Sequence, residues 1–304
     1  MARTGSALAL VLALSASAAC DVGLDTALDD DDDEVQGANT ATIRIVQHNI
    51  EKKDDALYVA LDEAERIGAD GIALQEVCPS QVQWLVDSYS TMWTIVAIQS
   101  PKAALVGCDL PGGLHDRTNS VAIWRGGAAG TPAWFPNLAR VPDAPGDMAC
   151  VEFPRGGVAV DLCSTHLNST SFGSYTGEEL RQRETTRIKQ IARDNWLTKG
   201  NFVIVAGDFN GKPYTPPLEK MYDPALGGRG DFTEYNRSGA TRDGRNTAHS
   251  SGNNTETGEG YDRKIDYIFF STNRAPIDGE VAQVTRDASD HDMVTSVVRM
   301  RKKK

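Results

Sequence analysis

The sequence predicts an α+β domain in which two mixed β-sheets pack face to face with helices outside. Three observations carry that reading. Predicted strands outnumber predicted helices along the chain. Several strands are short runs rich in β-branched residues, the pattern of a strand buried on both faces. Polar residues of catalytic type then recur at the strand ends: Asn49, Glu76, His166, Asp208, Asn210, Asp266, Asp290 and His291.

The chain opens on an export signal. Arg3 precedes an apolar stretch from Ala7 to Leu14, and small residues follow up to Cys20. That stretch is too short to span a bilayer, so residues 1–19 are read as a signal peptide outside the fold. Two cleavages fit. Ala16-Ser17-Ala18 suits an ordinary signal peptidase, whereas Ser17-Ala18-Ala19-Cys20 resembles a bacterial lipoprotein box that leaves Cys20 lipidated as a membrane tether. The protein is therefore expected to be exported, either secreted or held as a cell-surface or periplasmic lipoprotein. Residues 20–40 read as an acidic, disordered spacer, because Asp29 to Asp33 and Glu34 repel one another.

Residues 41–304 remain as one domain, long enough for a large core and expected to act as a monomer. The net charge of −11 is mostly the spacer's: residues 1–34 hold one arginine and eight acids, which leaves −4 for the rest. The sequence shows no strongly basic face, so tight stoichiometric nucleic-acid binding is not expected, although transient engagement by an enzyme is open. Arg299, Arg301 and Lys302 to Lys304 read as a basic tail.

The first strand runs from Thr42 to His48 and ends at Asn49. A helix follows, capped by Asp54 or Asp55, with Leu57, Leu61, Ala64 and Ile67 as its apolar stripe and Gly68 as its stop. Gly71 to Val77 is a buried strand with Glu76 at its end. Further strands fall at Met92–Ile98 and Ser120–Trp124. Met148–Phe153 and Val158–Ser164 flank Gly156-Gly157, a two-residue hairpin turn. In that register Cys150 opposes Cys163 at a non-hydrogen-bonded site, where strands approach most closely and a disulfide fits. Cys78–Cys108 follows by elimination among the four cysteines after Cys20.

Gly177 to Leu197 is the longest helical pattern, with Leu180, Ile188, Ile191 and Ala192 facing inward. Arg181 and Arg183 lie early on it, facing either phosphate or solvent. Phe202 to Ala206 is a core strand that stops at Gly207 and presents Asp208 and Asn210. Taken alone, that end is equally an ordinary turn, since Gly, Asp and Asn are turn residues. Residues 236–263 lack any apolar period, and a loop of that length is functional or disordered. Ile265–Phe269 and Met293–Val298 are the last strands.

Six segments in order carry a resemblance: Gln47-His48-Asn49-Ile50, Leu74-Gln75-Glu76-Val77, Ser164-Thr165-His166-Leu167, Gly207-Asp208-Phe209-Asn210, Lys264-Ile265-Asp266-Tyr267-Ile268 and Ser289-Asp290-His291. Each is weak alone; together they resemble the endonuclease/exonuclease/phosphatase superfamily, which includes deoxyribonuclease I, neutral sphingomyelinases and inositol-polyphosphate 5-phosphatases. The resemblance covers residues 42–298. It implies a four-layer αββα sandwich with one metal-dependent site where strand ends of both sheets meet. It also implies Glu76 as the main Mg²⁺ ligand with Asn49 and Asp290 (Mn²⁺ or Ca²⁺ substituting), since a hard cation prefers oxygen donors. His291 would activate water, held by Asp266. Asp208 and Asn210 would position nucleophile and phosphate, and His166 would bind or protonate a phosphoryl oxygen. One departure is Asp292-Met293-Val294, where the family often has a residue and then Pro-Val; it touches how the strand begins and no catalytic atom. His48 and His115 read as structural.

His166 argues against the apurinic-site repair branch of the family, and no inositol-phosphate recognition motif is present. In the loop of residues 236–263 Tyr261 is the one aromatic, accompanied by Arg237, Arg242, Arg245, Arg263 and the adjoining Lys264. Those cations suit a polyanionic strand better than a bilayer. A deoxyribonuclease I-like nuclease acting on nucleic acid is thus the first expectation. A phospholipid phosphodiesterase or phosphoinositide phosphatase on the same scaffold is the second, and a non-catalytic surface binding protein the third.

Overall fold

The computed structural model describes residues 40–99, 108–110, 114–116, 118–126, 131–237, 241–248, 263–274, 278–279, 283–285 and 289–302. The signal peptide, Cys20, the acidic spacer, His249 and Tyr261 lie outside the described residues, and so does the side chain of His115.

In chain order the strands are β1 (Thr40–Asn49), β2 (Gly71–Val77), β3 (Trp93–Gln99), β4 (Cys108–Leu110), β5 (Leu114–Asp116), β6 (Asn119–Arg125), β7 (Thr131–Phe135), β8 (Asp147–Arg155), β9 (Val158–His166), β10 (Phe202–Asp208), β11 (Phe232–Thr233), β12 (Asp266–Ser271), β13 (Asp278–Gly279), β14 (Gln283–Thr285) and β15 (Met293–Arg301). The α-helices are α1 (Asp54–Arg66), α2 (Pro79–Tyr89), α3 (Gly177–Asn195) and α4 (Pro216–Glu219). One sheet is ordered β13-β15-β1-β2-β6-β3, with β14 also on β15; the other is ordered β11-β12-β10-β9-β8-β7. Both are mixed: β1–β2 and β9–β10 are parallel, and the other neighbours in the two sheets are antiparallel.

Three apolar layers hold the sandwich. Ile43, Ile45, Ala122 and Val298 of the first sheet meet Val151, Leu162, Ile204 and Phe270 of the second between the sheets. Leu57, Ala60 and Leu61 of α1, with Leu85 of α2, cover the outer face of the first sheet. Ile188, Ile191 and Ala192 of α3, with Leu218 of α4, cover the second. Each large aliphatic or aromatic side chain so buried contributes roughly 1.5–3 kcal/mol. The four-layer αββα sandwich implied by the sequence is the fold observed.

Local outcomes differ in detail. Helix α1 is capped by Lys53 without a side-chain bond, and Asp54 and Asp55 instead occupy the first turn, where carboxylates favour the helix dipole. Helix α3 starts on a capping box between Thr176 and Glu179. Helix α2 is an element the sequence expectations lack; Pro79 opens it, it fully buries Gln81 and Leu85, and Val82, Trp84 and Tyr89 pack partly buried on the same core. Arg299 and Arg301 belong to β15, paired with Thr42 and Thr40, so the basic tail is shorter than its sequence suggests. Cys150 does pair with Cys163 across β8–β9 at a Cα separation of 4.1 Å, and Cys78 bonds Cys108.

Gly207 is the tightest point near the site. Its φ is +153°, and a Cβ there would lie far inside contact distance of the Thr165 carbonyl oxygen on β9. Gly207→Ala must therefore force β9 and β10 apart at their polar ends. We expect a loss of about 2–4 kcal/mol in urea unfolding; an unchanged midpoint would contradict the close approach.

Candidate active site

The pleat builds the site, because side chains two residues apart share a sheet face. On β1, Ile43 and Ile45 enter the inter-sheet core, and Gln47 and Asn49 continue their row. On β10, Phe202, Ile204 and Ala206 are followed by Asp208; on β9, Val160 and Leu162 are followed by Ser164 and His166. On β12, Asp266 precedes Ile268 and Phe270 in the same row. Register lays these polar ends side by side: Asp266 opposes Asp208, Asp208 opposes His166, and His166 opposes Asp147. Asp208 is thus the last residue of its strand, and its Oδ1 accepts the Asn210 N–H in an Asx turn that closes the strand.

Two positions break the pleat. Simple alternation would turn Glu76 toward the helices with Leu74. Instead Glu76 takes φ +53° at a bulge between Leu74 and Val77. Leu74 and Val77 both reach the helix-side core, and Glu76 turns to within 3.4 Å of Asn49 Nδ2. Asn210 takes φ +49°, a left-handed conformation that asparagine tolerates. Its backbone N–H donates to Asp208 Oδ1 at 2.8 Å, and its amide donates to Asp208 Oδ2 at 3.2 Å and to the Leu167 carbonyl at 3.0 Å.

His291 closes the cluster from the segment before β15. Its Nδ1 lies 2.8 Å from Asp266 Oδ2, and its Nε2 lies 3.7 Å from Asp208 Oδ2 and 3.5 Å from Asn49 Nδ2. His166 Nε2 is 3.4 Å from the same Asp208 oxygen. Asp290 Oδ1 stands 3.9 Å from His291 Nε2 on the more open side, and the Asp290 N–H donates to Glu51. The structure therefore brings all eight expected residues, Asn49, Glu76, His166, Asp208, Asn210, Asp266, Asp290 and His291, to one end of the sandwich. His48 is buried, one pleat out of this row.

Burial opposes a charge on His291, but Asp266 and Asp208 more than offset it and raise its pKa to about 10. His166 is likewise raised to about 9, against burial, by Asp208 and Glu76. Burial would raise Asp208, yet the two imidazoles hold it at about 2. Glu76 is lowered, against burial, by His166 and Lys52. Asp266 is raised, because full burial outweighs its contact with His291.

The donor set fits a hard divalent cation. Oxygen-bearing side chains of Glu51, Glu76 and Asp290 gather at the open edge beside the buried Asn49, and a cation already sits on one of them: Lys52 Nζ is 2.6 Å from Glu76 Oε2. A second grouping, Asp208, Asp266 and His291, has ligand atoms within 4.8 Å of one another. There Asp266 is already committed: Thr247 Oγ1 donates to Oδ2 at 2.9 Å and Gln47 to Oδ1 at 3.1 Å, besides the His291 contact. Asn49 as placed turns its amide nitrogen toward Glu76, Asp208 and His291, while its oxygen accepts from the Glu51 N–H.

Several contributors escaped the sequence reading. Gln47, Gln75 and Ser164 form a hydrogen-bonded floor that crosses between the sheets. Their signal was available, since each lies two residues from a site residue or core residue on the same face. Thr247 had none, because it falls in the stretch without period. Ala248 bridges to both Arg263 and His291, which holds these two described positions beside the site. The loop's cations divide: Arg245 and Arg263 are exposed, while Arg242 stacks on Tyr222 and Lys264 is buried against Glu234. Arg181 donates to the carbonyls of Asn168 and Ser169.

A histidine with a raised folded pKa adds stability that is whole below its unfolded value, about 6.5, and is lost as pH rises through the folded value. For His291 that loss runs up to about 10. In chelator, the urea midpoint should fall as pH rises from neutral toward that limit, and Asp266→Asn should flatten the fall. A midpoint that rises over this range would contradict the charge assignment.

Comparison with known proteins agrees with the geometry. The catalytic domain of human Nocturnin with bound sulfate anion superposes with TM-score 0.62 at 16% identity, covering 86% of this chain and 95% of that one. Danio rerio TDP2 complexed with single strand DNA product gives TM-score 0.58 at 13% identity, covering 84% and 98%. An endonuclease/exonuclease/phosphatase family protein from Bacteroides thetaiotaomicron gives 0.56 at 13% identity, covering 86% and 96%. A sequence search of curated proteins returned no match. Residues 46–291 match the Endonuclease/Exonuclease/phosphatase family, a span that holds all eight site residues, and the chain therefore belongs to that family.

Proposed function

We propose that this protein is an exported, divalent-metal-dependent phosphodiesterase, a deoxyribonuclease I-like endonuclease that hydrolyses nucleic-acid phosphodiester bonds. The observation that carries the reading is the pair of imidazoles flanking Asp208: His291 at 3.7 Å and His166 at 3.4 Å, with Asp266 fixed behind His291. Phosphodiester hydrolysis needs a group to take a proton from water and another to neutralise or protonate the phosphoryl group, and the two histidines supply one of each.

In this reading Asp266 holds Nδ1 of His291, so that Nε2 faces the reacting water. Asp208 lies between the imidazoles and, with Asn210, positions water and phosphate. His166, held charged by Asp208 and Glu76, donates to a phosphoryl oxygen. Glu76 and Asp290, with Asn49 beside them, would hold the cation; Asp266 is too fully hydrogen-bonded to do so. A bound divalent ion would add positive charge at the phosphoryl oxygens and leaving group and, by like-charge repulsion, favour neutral His291.

Export is supported by the two disulfides, which belong to oxidising compartments. Nucleic acid is favoured over lipid by the DNA product in the TDP2 structure and by exposed Arg245 and Arg263 beside the site.

The test offers supercoiled plasmid, RNA, sphingomyelin and a phosphoinositide, each with Mg²⁺ or chelator. Plasmid nicking should vanish in chelator and drop by about 10²-fold or more in His291→Ala. Lipid turnover with intact plasmid would overturn the nuclease reading, and inactivity on all four substrates would favour a binding protein.

A further inference from the structure

The solvent side of α3 carries a feature that the proposed reaction does not use. An open groove of about 390 Å³ runs along this helix, and Arg140 and Lys220 are among the residues that line it. Arg183 and Arg187 also line it, one helical turn and about 6 Å apart. Glu179 is the single acid in the lining, so four cations leave an excess of three positive charges on a domain that is acidic overall. Even Glu179 is committed, accepting from the Thr176 N–H at 2.8 Å and the Thr176 hydroxyl at 2.9 Å.

No salt bridge closes on these cations, unlike their neighbours; Glu179 acts on Arg183 through space without pairing with it. Arg193 is bidentate to Asp231 at 2.6 and 2.8 Å, and Arg181 is spent on carbonyls. Among the described residues no ion pair engages Arg140, Arg183 or Arg187. Arg183 lies 4.6 Å from the centre of the Tyr175 ring, a plane that pre-organises the guanidinium and offers a stacking surface. Lys220 donates to Gln182 O at 3.1 Å and Thr186 Oγ1 at 2.8 Å, which fixes its charge at the groove's edge with a donor to spare. The helix that carries the groove is tied near its start, through Arg181, to Asn168, two residues beyond His166.

We propose that this groove is a nucleic-acid exosite, holding the phosphates of a strand that extends beyond the scissile bond. The proposal rests on the nuclease reading and names where a long substrate gains affinity. Regularly spaced guanidinium groups beside an aromatic ring fit a phosphate backbone with stackable bases. A bilayer is the poorer partner: the exposed large apolar side chains among the described residues, Tyr58, Met92 and Tyr214, all lie outside the lining.

The test uses the full-length protein and the exposed-face variant Arg183→Glu/Arg187→Glu, with Arg183→Lys/Arg187→Lys as the charge-retaining control. Binding of a fluorescein-labelled single-stranded oligonucleotide is followed by anisotropy in chelator across a salt series. Charge reversal should weaken binding about tenfold or more and reduce the slope of log K against log salt by about 1.4, while the lysine variant stays near wild type. In Mg²⁺, KM for the long oligonucleotide should rise, with hydrolysis of bis(p-nitrophenyl) phosphate unchanged. Unaltered affinity and salt slope, with cleavage retained, would overturn the exosite and leave the nuclease reading standing. Loss of binding to phosphatidylglycerol vesicles without an effect on the oligonucleotide would make the groove a membrane surface and overturn it too. A wild-type protein that cuts neither the oligonucleotide nor the small diester would instead refute the reading beneath it.

Discussion

Polar side chains on the inner faces of two packed sheets must find partners across the gap, because water is excluded there. That constraint organises this protein. The rows Ile43-Ile45, Val160-Leu162 and Ile204-Ala206 are apolar for as long as the sheets are in contact, and then turn polar together at one end. An unpartnered polar group at that depth costs on the order of 1–3 kcal/mol, and the layer is satisfied within and across the sheets except at Gln47 Oε1. Gln47 reaches Gln75 and Asp266, and Gln75 reaches Ser164, which donates to the Leu74 carbonyl. This floor both seals the core and fixes Asp266 beneath His291.

The charges above the floor follow from it. Asp208 and Asp266 are buried, yet only Asp208 has an imidazole on both sides, and so the two aspartates shift in opposite directions. Asp266 is instead held by neutral donors and one imidazole nitrogen, an arrangement that orients His291. Toward solvent, Glu76, Asp290 and Glu51 are less enclosed. Lys52 sits on Glu76, where positive charge is evidently favoured. His291, Asp208 and Asp266 thus sit deep, while His166, Glu76 and Asp290 lie nearer the mouth, an arrangement matched to a phosphodiester that approaches from outside.

Much of this was legible in the sequence because the pleat has a strict period. A β-branched run ending in Asp208, or Ile43 and Ile45 leading to Asn49, announces which face a polar side chain will occupy. The order of six short segments added what no single one could. What stayed hidden lacked a period. Glu76 needs a bulge and a positive φ, neither of which Leu74-Gln75-Glu76-Val77 reveals. Thr247 reaches Asp266 from a segment without pattern. The cations read as a loop for polyanions proved to be of two kinds, because Arg242 and Lys264 turn inward to Tyr222 and Glu234. Conversely, the basic groove joins Arg140, Arg183, Arg187 and Lys220, residues too scattered in sequence to register as a face.

Asp266, fixed by the inter-sheet floor, sets the proton on His291. Ring ¹⁵N shifts of His291 report it directly. In metal-free protein at neutral pH both ring nitrogens should be protonated, and saturation with Mg²⁺ should leave a single neutral form with the proton on Nδ1. A neutral ring before metal is added, or a proton retained on Nε2 afterwards, would contradict that role of Asp266.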